Sequence, residues 1–564
     1  MRNCLNRRSF LGVASATTAV GLLGRRAIAA TAGAEAAAGF DVDRASILAG
    51  MAEGGIGAAA VCLIDGGRVA WIEGFGRTAG SGGEPVGPGT LFSIQSTTKN
   101  FTAVAVLLAV QEGLLALDTP ISHYLPGFTV RSRFEHAPVE RMTLRLLLAN
   151  RAGFTHEAPV GNNYEPASPG FEAHVRSISE TWLRFPVGDR YRYSNLGFDL
   201  AGYILEQKAG IGYAEWLRRK LFEPAGMTRS TADPAVYTQV ANRAIGSHRG
   251  YEQVPVRTPL LASGGIYTTA RDMAAYALFH LSGGKAGERQ ILDAALWKEM
   301  HGFAYGGDYS LGVMRSELRH GSSPVRLLHH RGGGFGFGCD FAYCPQAGIA
   351  WAALFNRPAL AGYRFGNRPV ERQLTARFGA RKPRLPADAL APIAPLPAQV
   401  RAMVGSYVGR NVRARISEKG GQLQLEKKST DAPLPLGMTS PEDLFTVDAD
   451  GNVTTYRLHP ATAALPAHLE CSDGEASLDR NDGPGDPAGP DRPEWTRYVG
   501  QYRVEQWGRP AMDVTVERRN GYLCIDGIRL VVETEPGLFF TCDGEAVDFR
   551  PPTPTWRNLL LRKA

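Results

Sequence analysis

Apolar and polar positions along the chain follow two textures. Up to about residue 380, apolar residues recur at helical spacing in several stretches, interrupted by short runs of strand length. Beyond about 400, short alternating segments and turns take over. In the first part the pattern predicts an alanine-rich helix within 30–60 that ends near Gly54-Gly55. A hairpin follows, in which 61–64 and 68–73 flank Asp65-Gly66-Gly67, and then an apolar helix that starts at Ser96 and stops at Gly113. Further helices are predicted over 143–148, 196–207 and 213–222. Thr269-Ala-Arg-Asp272 reads as a capping box opening a helix over 273–281, and a last helix covers roughly 364–378. Residues 339–343 and 348–355 read as strands. Strands at both ends with helices between them predict an α+β domain over 30–381, one antiparallel sheet with helices packed on it.

Residues 382–397 are Pro-rich and read as a linker. Two similar β-rich units follow, over 398–480 and 494–564, separated by a Gly/Pro linker at 481–493. Val404-Gly-Ser-Tyr407 recurs as Val499-Gly-Gln-Tyr502, Gly421-Gln-Leu-Gln-Leu425 as Gly521-Tyr-Leu-Cys-Ile525, and Leu444-Phe-Thr446 as Phe539-Phe-Thr541. The offsets of 95, 100 and 95 residues indicate an approximate duplication, each copy long enough for a small antiparallel sheet or barrel.

Composition narrows the class. At 564 residues the chain exceeds one core, and 44% hydrophobic with 21% charged residues is globular usage. The net charge of +7 is mostly a terminal effect, because residues 1–29 hold five arginines and no acid, leaving +2. A nucleic-acid partner is therefore not expected. Asn6-Arg7-Arg8-Ser9-Phe10-Leu11, an apolar run to Leu23 and Ala27-Ile-Ala29 form a twin-arginine signal pattern over 1–29, which predicts export to a bacterial periplasm or medium. The run is too short and too rich in small residues for a membrane span. Six cysteines lie beyond the signal, too few for a disulfide scaffold. Cys339 and Cys344 are expected on opposite faces of a strand, and Cys524 and Cys542 read as small buried side chains rather than a bridge. No spacing suggests a metal, no cofactor is expected, and oligomeric state is not legible.

The chemistry concentrates at Ser96-Thr-Thr-Lys99. On a helix, residues three apart share a face, so Ser96 Oγ and Lys99 Nζ can meet at the start of a buried helix. A lysine in apolar surroundings has its charged form disfavoured and can take the proton of a serine nucleophile. A second Ser-x-x-Lys, Ser282-Gly-Gly-Lys285, lies in a Gly-rich loop that does not fix its pair on one face. Tyr193-Ser-Asn195 offers a phenol for a proton relay and an amide to orient Lys99 or bind substrate, although a helix-capping Asn beside a loop Tyr has the same pattern. His330-Arg-Gly332-Gly333 offers a strand that a substrate backbone can approach, with the N–H groups of Gly333 and Ser96 as an oxyanion hole. A second His-Arg-Gly stands at 248–250.

The order Ser96-x-x-Lys99, Tyr193-x-Asn195, His330-x-Gly332 resembles the serine β-lactamase and penicillin-recognising superfamily. The resemblance is strongest to its class C β-lactamase, D-alanyl-D-alanine carboxypeptidase, D-aminopeptidase and esterase branch, and it extends over roughly 45–375. It implies Ser96 as the acylated nucleophile, Lys99 and Tyr193 as base and proton relay, and 330–333 as the substrate-lining strand. Two departures stand out. His330-Arg331-Gly332 replaces the Lys-Thr-Gly of true β-lactamases and resembles D-aminopeptidase and esterase members. Asn150-Arg-Ala-Gly153 replaces a frequent His-Thr-Ser-Gly segment. The expected function is an acyl-enzyme serine hydrolase acting on small-molecule or peptide substrates, preferably D-amino-acid-containing peptides. A carboxylesterase or class C-like β-lactamase is the alternative within the enzyme class, and an inactive penicillin-binding-type protein the alternative outside it.

Overall fold

The computed structural model describes residues 39–79, 82–161, 169–248, 260–305, 307–334, 336–382, 397–409, 412–427, 432–447, 453–462, 465–471, 477–506 and 509–564. The signal pattern over 1–29 and nearly all of the Pro-rich 382–397 segment lie outside the described residues.

Among the described residues the first part folds on a seven-stranded antiparallel sheet of order β3-β2-β1-β7-β6-β5-β4. Its strands are β1 (Ala58–Asp65), β2 (Arg68–Ala79), β3 (Gly82–Pro85), β4 (Met314–His320), β5 (Ser323–Gly334), β6 (Phe337–Cys344) and β7 (Ile349–Phe355). The β1–β2 hairpin turns through Gly66 and Gly67, both at positive φ (58° and 72°), which glycine adopts without steric cost. Central β1 is apolar at every position from Ala58 to Ile64 because both of its faces are covered. Ala58, Ala60, Cys62 and Ile64 face the larger core, and Ala59, Val61 and Leu63 face a smaller one. Cys339 and Cys344 fall into these two cores respectively, as their odd spacing requires.

Helix α1 (Asp41–Gly54) and helix α5 (Asn367–Phe378) contribute to the smaller core, and α2 (Thr98–Gln111), α3 (Leu196–Ala209) and α4 (Ala270–Leu281) to the larger. α1 ends at Gly55 and α3 at Gly210, each in the left-handed conformation. α4 opens on an N-cap, with Thr269 Oγ1 accepting from Asp272 N at 3.1 Å, but the box is only half formed, since the Asp272 carboxylate accepts from Arg229 N and Ser230 Oγ at 2.9 and 2.7 Å. The helix predicted over 213–222 is α-helical only over Tyr213–Leu217 and passes into a π turn over Arg218–Phe222. None of the helices among the described residues is long and apolar enough to cross a membrane.

The β-rich region forms two closed eight-stranded barrels, one between Gly405 and Asp482 and one between Gly500 and Lys563. Closure removes the exposed edges that short strands would otherwise present. The duplication is visible in atomic detail. Gly405 and Gly500 open equivalent strands at φ 155° and 154°, and Tyr407 Oη and Tyr502 Oη each donate to the carbonyl four residues earlier, at 2.7 and 2.8 Å. The segment that reads as a Gly/Pro linker is partly built in, since Asn481 closes the last strand of the first barrel. Its amide donates to Gly527 O at 3.0 Å and accepts from Arg529 N at 2.8 Å in the second barrel. All six described cysteines are free and buried, so Cys524 and Cys542 form no bridge.

Candidate active site

Ser96 stands at the entrance to α2. The strand pair Phe92–Ser93 and Tyr267–Thr268 leads into a short 3₁₀ turn, Gln95–Thr97, that runs on into the helix. Gln95 takes a left-handed φ of 47°, a conformation costing a non-glycine residue about 1–3 kcal/mol. Its side chain offsets part of that by donating to Ser93 Oγ at 2.8 Å. The bend presents Ser96 half-buried while the rest of the turn and helix start is covered.

Lys99, one turn later, has no exposed surface. Its Nζ lies 3.2 Å from Ser96 Oγ, 2.8 Å from Asn195 Oδ1 and 2.9 Å from Ser263 O. The ammonium also sits over the Tyr193 ring, 4.9 Å from its centroid. Tyr193 is itself half-buried and packs against the rings of His156 and Tyr309 at 6.0 and 6.3 Å. Serine, amine and tyrosine ring therefore converge, with Ser96 and Tyr193 reaching the surface and Lys99 shielded from it.

Tyr193 is held there by the segment Asn150-Arg-Ala-Gly153. Asn150 Oδ1 accepts from Ser194 N at 3.0 Å, and Asn150 O from Arg192 N at 2.8 Å. Gly153 faces the same loop from the other end. A Cβ there would stand 2.4 Å from Phe185 O, and its φ is 84°, so only glycine fits.

Strand β5 runs beside the Ser96 turn. Thr97 Oγ1 donates to His330 O at 3.3 Å, and a Cβ on Gly332 would meet Ile94 O at 2.0 Å and Ser96 N at 3.1 Å. Gly332 is thus the residue that lets strand and turn approach. Gly333 is exposed at the edge of this contact. His330 departs from the expectation of a substrate-lining side chain. The alternation of β5 turns it inward, and it is fully buried, with Nε2 3.2 Å from Tyr309 Oη and Nδ1 2.9 Å from Arg331 O. Burial, reinforced by the charge of Lys99, pushes its pKa down to about 3, so it is neutral. The neighbouring outward position belongs to Arg331, which donates to Asp340 across the strands at 3.0 Å.

The second Ser-x-x-Lys does not form a site. Ser282 Oγ donates to Leu278 O at the end of α4, and Lys285 is exposed on a separate hairpin. Of the other His-Arg-Gly only His248 is described. Among the described residues no group of three or more His, Cys, Asp and Glu is placed to hold a metal ion.

Both barrels reach this site. Arg184, at the start of the loop that carries Tyr193, is 2% exposed. It donates to Asp543 O from Nε and Nη2 at 2.9 and 2.6 Å, and it pairs with the carboxylates of Asp543 and Glu545, each at 3.1 Å. Arg190 pairs with Asp479 of the first barrel at 3.1 Å, and Arg192 pairs with the same carboxylate. Thr155 Oγ1 donates to Glu545 at 2.6 Å, and Asn558 Nδ2 to Glu157 O at 2.7 Å.

A family profile described as Beta-lactamase matches residues 44–376, more than half of the chain. The chain belongs to the beta-lactamase family. The unguisins hydrolase ungD' of Aspergillus campestris is 27% identical over 325 residues, covering 54% of this chain and 59% of that protein. Protein flp of Staphylococcus aureus is 25% identical over 202 residues, 36% of this chain and 39% of its own. This beta-lactamase-family chain thus matches less than two thirds of the length of either relative. The crystal structure of SurE with D-Leu shares the fold at a TM-score of 0.55 and 22% identity, covering 78% of this chain and 99% of that one. The matched family region stops short of both barrels, so the family resemblance read from the sequence stands for the first part of the chain.

Four participants around Lys99 escaped sequence reading: the carbonyl of Ser263, and the side chains of Glu157, Asp199 and His174. A carbonyl carries no residue signature. Asp199 left a trace, as an acid within the otherwise apolar face of 196–207.

Proposed function

We propose that this chain is an exported serine hydrolase that works through an acyl-enzyme on Ser96, with D-amino-acid-containing peptides as its preferred substrates. Lys99 removes the proton of Ser96 Oγ as that oxygen attacks the substrate carbonyl. The N–H groups of Ser96 and Gly333 hold the oxyanion, and Tyr193 passes the proton to the departing amine or alcohol. Water then attacks the ester carbonyl, gives up a proton along the same route, and releases the acid and free Ser96.

The observation that carries this reading is the fully buried Lys99 amine 3.2 Å from a half-buried serine hydroxyl, with a half-buried tyrosine ring against it. The substrate class is supported by His330-Arg331-Gly332 standing where true β-lactamases carry Lys-Thr-Gly. The hydrolase activity named for the Aspergillus relative agrees with the reaction class. Export is supported by Arg7-Arg8 and the small residues at 27–29.

A fluorophosphonate probe should label Ser96, identified by peptide mass spectrometry, and Ser96→Ala should abolish labelling. Label on another residue refutes the assignment. A panel of D-Ala p-nitroanilide, D-Ala-D-Ala peptides, p-nitrophenyl butyrate and nitrocefin then tests the class. Fastest turnover is expected on a D-amino-acid substrate, and rapid nitrocefin hydrolysis would overturn that ranking. Replacing Arg7 and Arg8 by lysine should leave uncleaved protein inside the cell.

A further inference from the structure

Lys99 Nζ has three directions beyond its bond to Cε, and three oxygens lie within 3.2 Å of it: Ser96 Oγ, Asn195 Oδ1 and Ser263 O. Two belong to groups that only accept, Ser263 O and Asn195 Oδ1. The identity of the second is fixed by its partner amide nitrogen, which donates to Glu157 Oε1 at 3.3 Å. An amine that aims an N–H at each of these two has, in its neutral form, a lone pair to turn towards Ser96 Oγ, 3.2 Å away. The two acceptors therefore decide whether Lys99 faces Ser96 as a base or turns elsewhere.

Each acceptor is anchored by a buried acid. Asp199, with no exposed surface, takes Ala262 N and Ser263 N on Oδ1 at 3.0 and 2.9 Å, and Ser263 Oγ on Oδ2 at 2.7 Å. It grips the peptide on either side of the carbonyl that Lys99 uses. Asn195 and Asp199 lie four residues apart at the start of α3 and so share a face. Glu157, 4% exposed, holds the Asn195 amide from the opposite side. Each acid is in turn backed by an imidazole. His156 Nδ1 lies 2.5 Å from Glu157 Oε1, and its ring stacks on Tyr193. His174 Nε2 lies 3.3 Å from Asp199 Oδ2, and its Nδ1 lies 2.8 Å from Val160 O. Both partners of His174 are acceptors, so both ring nitrogens donate only in the imidazolium form. Its pKa is accordingly raised. Burial works against the charge, but the Asp199 hydrogen bond and charge, the Val160 carbonyl and the charge of Glu157 outweigh it.

We propose that Asp199 and Glu157 are positioning residues that fix the direction of the Lys99 amine, each acting through one carbonyl oxygen and each backed by a buried histidine, His174 and His156. The proposal rests on the reading of Ser96 and Lys99 given above. It assigns to these four side chains a role beyond packing: burying a carboxylate away from water is costly, and here both acids hold the two acceptors of a single amine.

The test uses the full-length chain and the variants Asp199→Asn, Glu157→Gln and His174→Gln, each normalised by active-site titration so that unfolded protein is not counted. The readouts are the single-turnover rate of Ser96 labelling by a fluorophosphonate and its pH profile. Titratable groups facing the amine and its anchors among the described residues include Tyr193, His330, His156, Glu157, Asp199 and His174, with Tyr213 facing Asp199. Each substitution is expected to slow labelling per active site by about 10- to 100-fold. For Asp199→Asn the acid limb of the profile should also move to lower pH, because a buried negative charge that favours the protonated amine is gone. A purely structural role predicts a lower melting temperature with unchanged rate per site and an unmoved limb. If Asp199→Asn does not fold, the other two substitutions decide. A wild-type protein unlabelled at Ser96 overturns the functional reading and this one with it. Normal labelling in the wild type together with unchanged rates and profiles in the variants overturns this inference alone.

Discussion

Gly332→Ala tests the contact between strand and nucleophile turn. The added methyl would sit 2.0 Å from Ile94 O, 3.0 Å from Ile94 C and 3.1 Å from Ser96 N. Carbon and oxygen do not approach within about 3 Å without strong repulsion, so strand and turn must separate by about 1 Å. Neither side yields easily. Ile94 N is tied to Ile266 O at 3.0 Å, Gly332 pairs in register with Cys339, and Gly332 O accepts from Tyr363 Oη at 2.8 Å. Overpacking of this kind costs about 1–3 kcal/mol of stability. Moving the strand by about 1 Å relative to Ser96 costs on the order of 100-fold in rate. Gly333→Ala supplies the control. Its methyl would meet the Tyr363 side chain, 2.4 Å from Oη, which must swing aside and loosen its bond to Gly332 O, but no backbone stands in the way and the Gly333 N–H is retained. The assay is kcat/KM on the best substrate of the panel, with a thermal melt for each variant. Gly332→Ala should retain about 1% of the activity at a modestly lowered melting temperature, and Gly333→Ala should stay within a few-fold of wild type. A Gly332→Ala enzyme of wild-type rate would refute the claim that the close approach sets the geometry.

Two further perturbations follow from the same structure. Asp543→Asn removes the charge facing Arg184 while leaving the Asp543 carbonyl and Glu545 in place, so the cost should fall below the roughly 3–5 kcal/mol of a fully broken buried pair. Denaturant unfolding should show that loss, and kcat should fall with it because Arg184 anchors the Tyr193 loop; wild-type values for both would disprove the anchoring. Acidification should destabilise the fold through buried neutral imidazoles. His330 has its pKa pushed from 6.5 to about 3 by burial and the Lys99 charge, so between those values the unfolded chain binds a proton that the native one does not. Its share of stability, complete above pH 6.5, shrinks by about 1.4 kcal/mol per pH unit on the way down, about 2 kcal/mol by pH 5. His330→Gln should flatten the stability profile by that slope, and an unchanged slope would rule the mechanism out.

Much of this was legible in the sequence where a residue type must be present for a local reason. Gly66-Gly67 had to be a turn, Thr269-Ala-Arg-Asp272 a helix start, and Ser96 with Lys99 a pair on one face. The recurrence of Val-Gly-x-Tyr announced two equivalent barrels, since the glycine conformation and the tyrosine hydrogen bond recur with it. What escaped is what only folding assembles. Met314–His320 carries Arg, Ser, Glu and His among its seven residues, because an edge strand keeps charge on its open side, and so it lacks the apolar signal of a strand. The inward turn of His330 depends on the register of β5 against β6, which no local pattern encodes. The grip of Asp479, Asp543 and Glu545 on the Tyr193 loop joins residues hundreds of positions apart, and nothing near either end foretells it.

That grip has a temporal consequence. The fasteners of the Tyr193 loop arrive 289 and 359 residues after the positions they hold, and Glu545 and Asn558 come 390 and 401 residues after Thr155 and Glu157. A chain emerging from the ribosome meets its sheet and helices early, but this ribbon gains its fasteners only as the first and then the second barrel is synthesised and closes. A nascent or clipped product would therefore carry Ser96 and Lys99 already paired beside a tyrosine held by Asn150 and its neighbours but without the fasteners of the barrels.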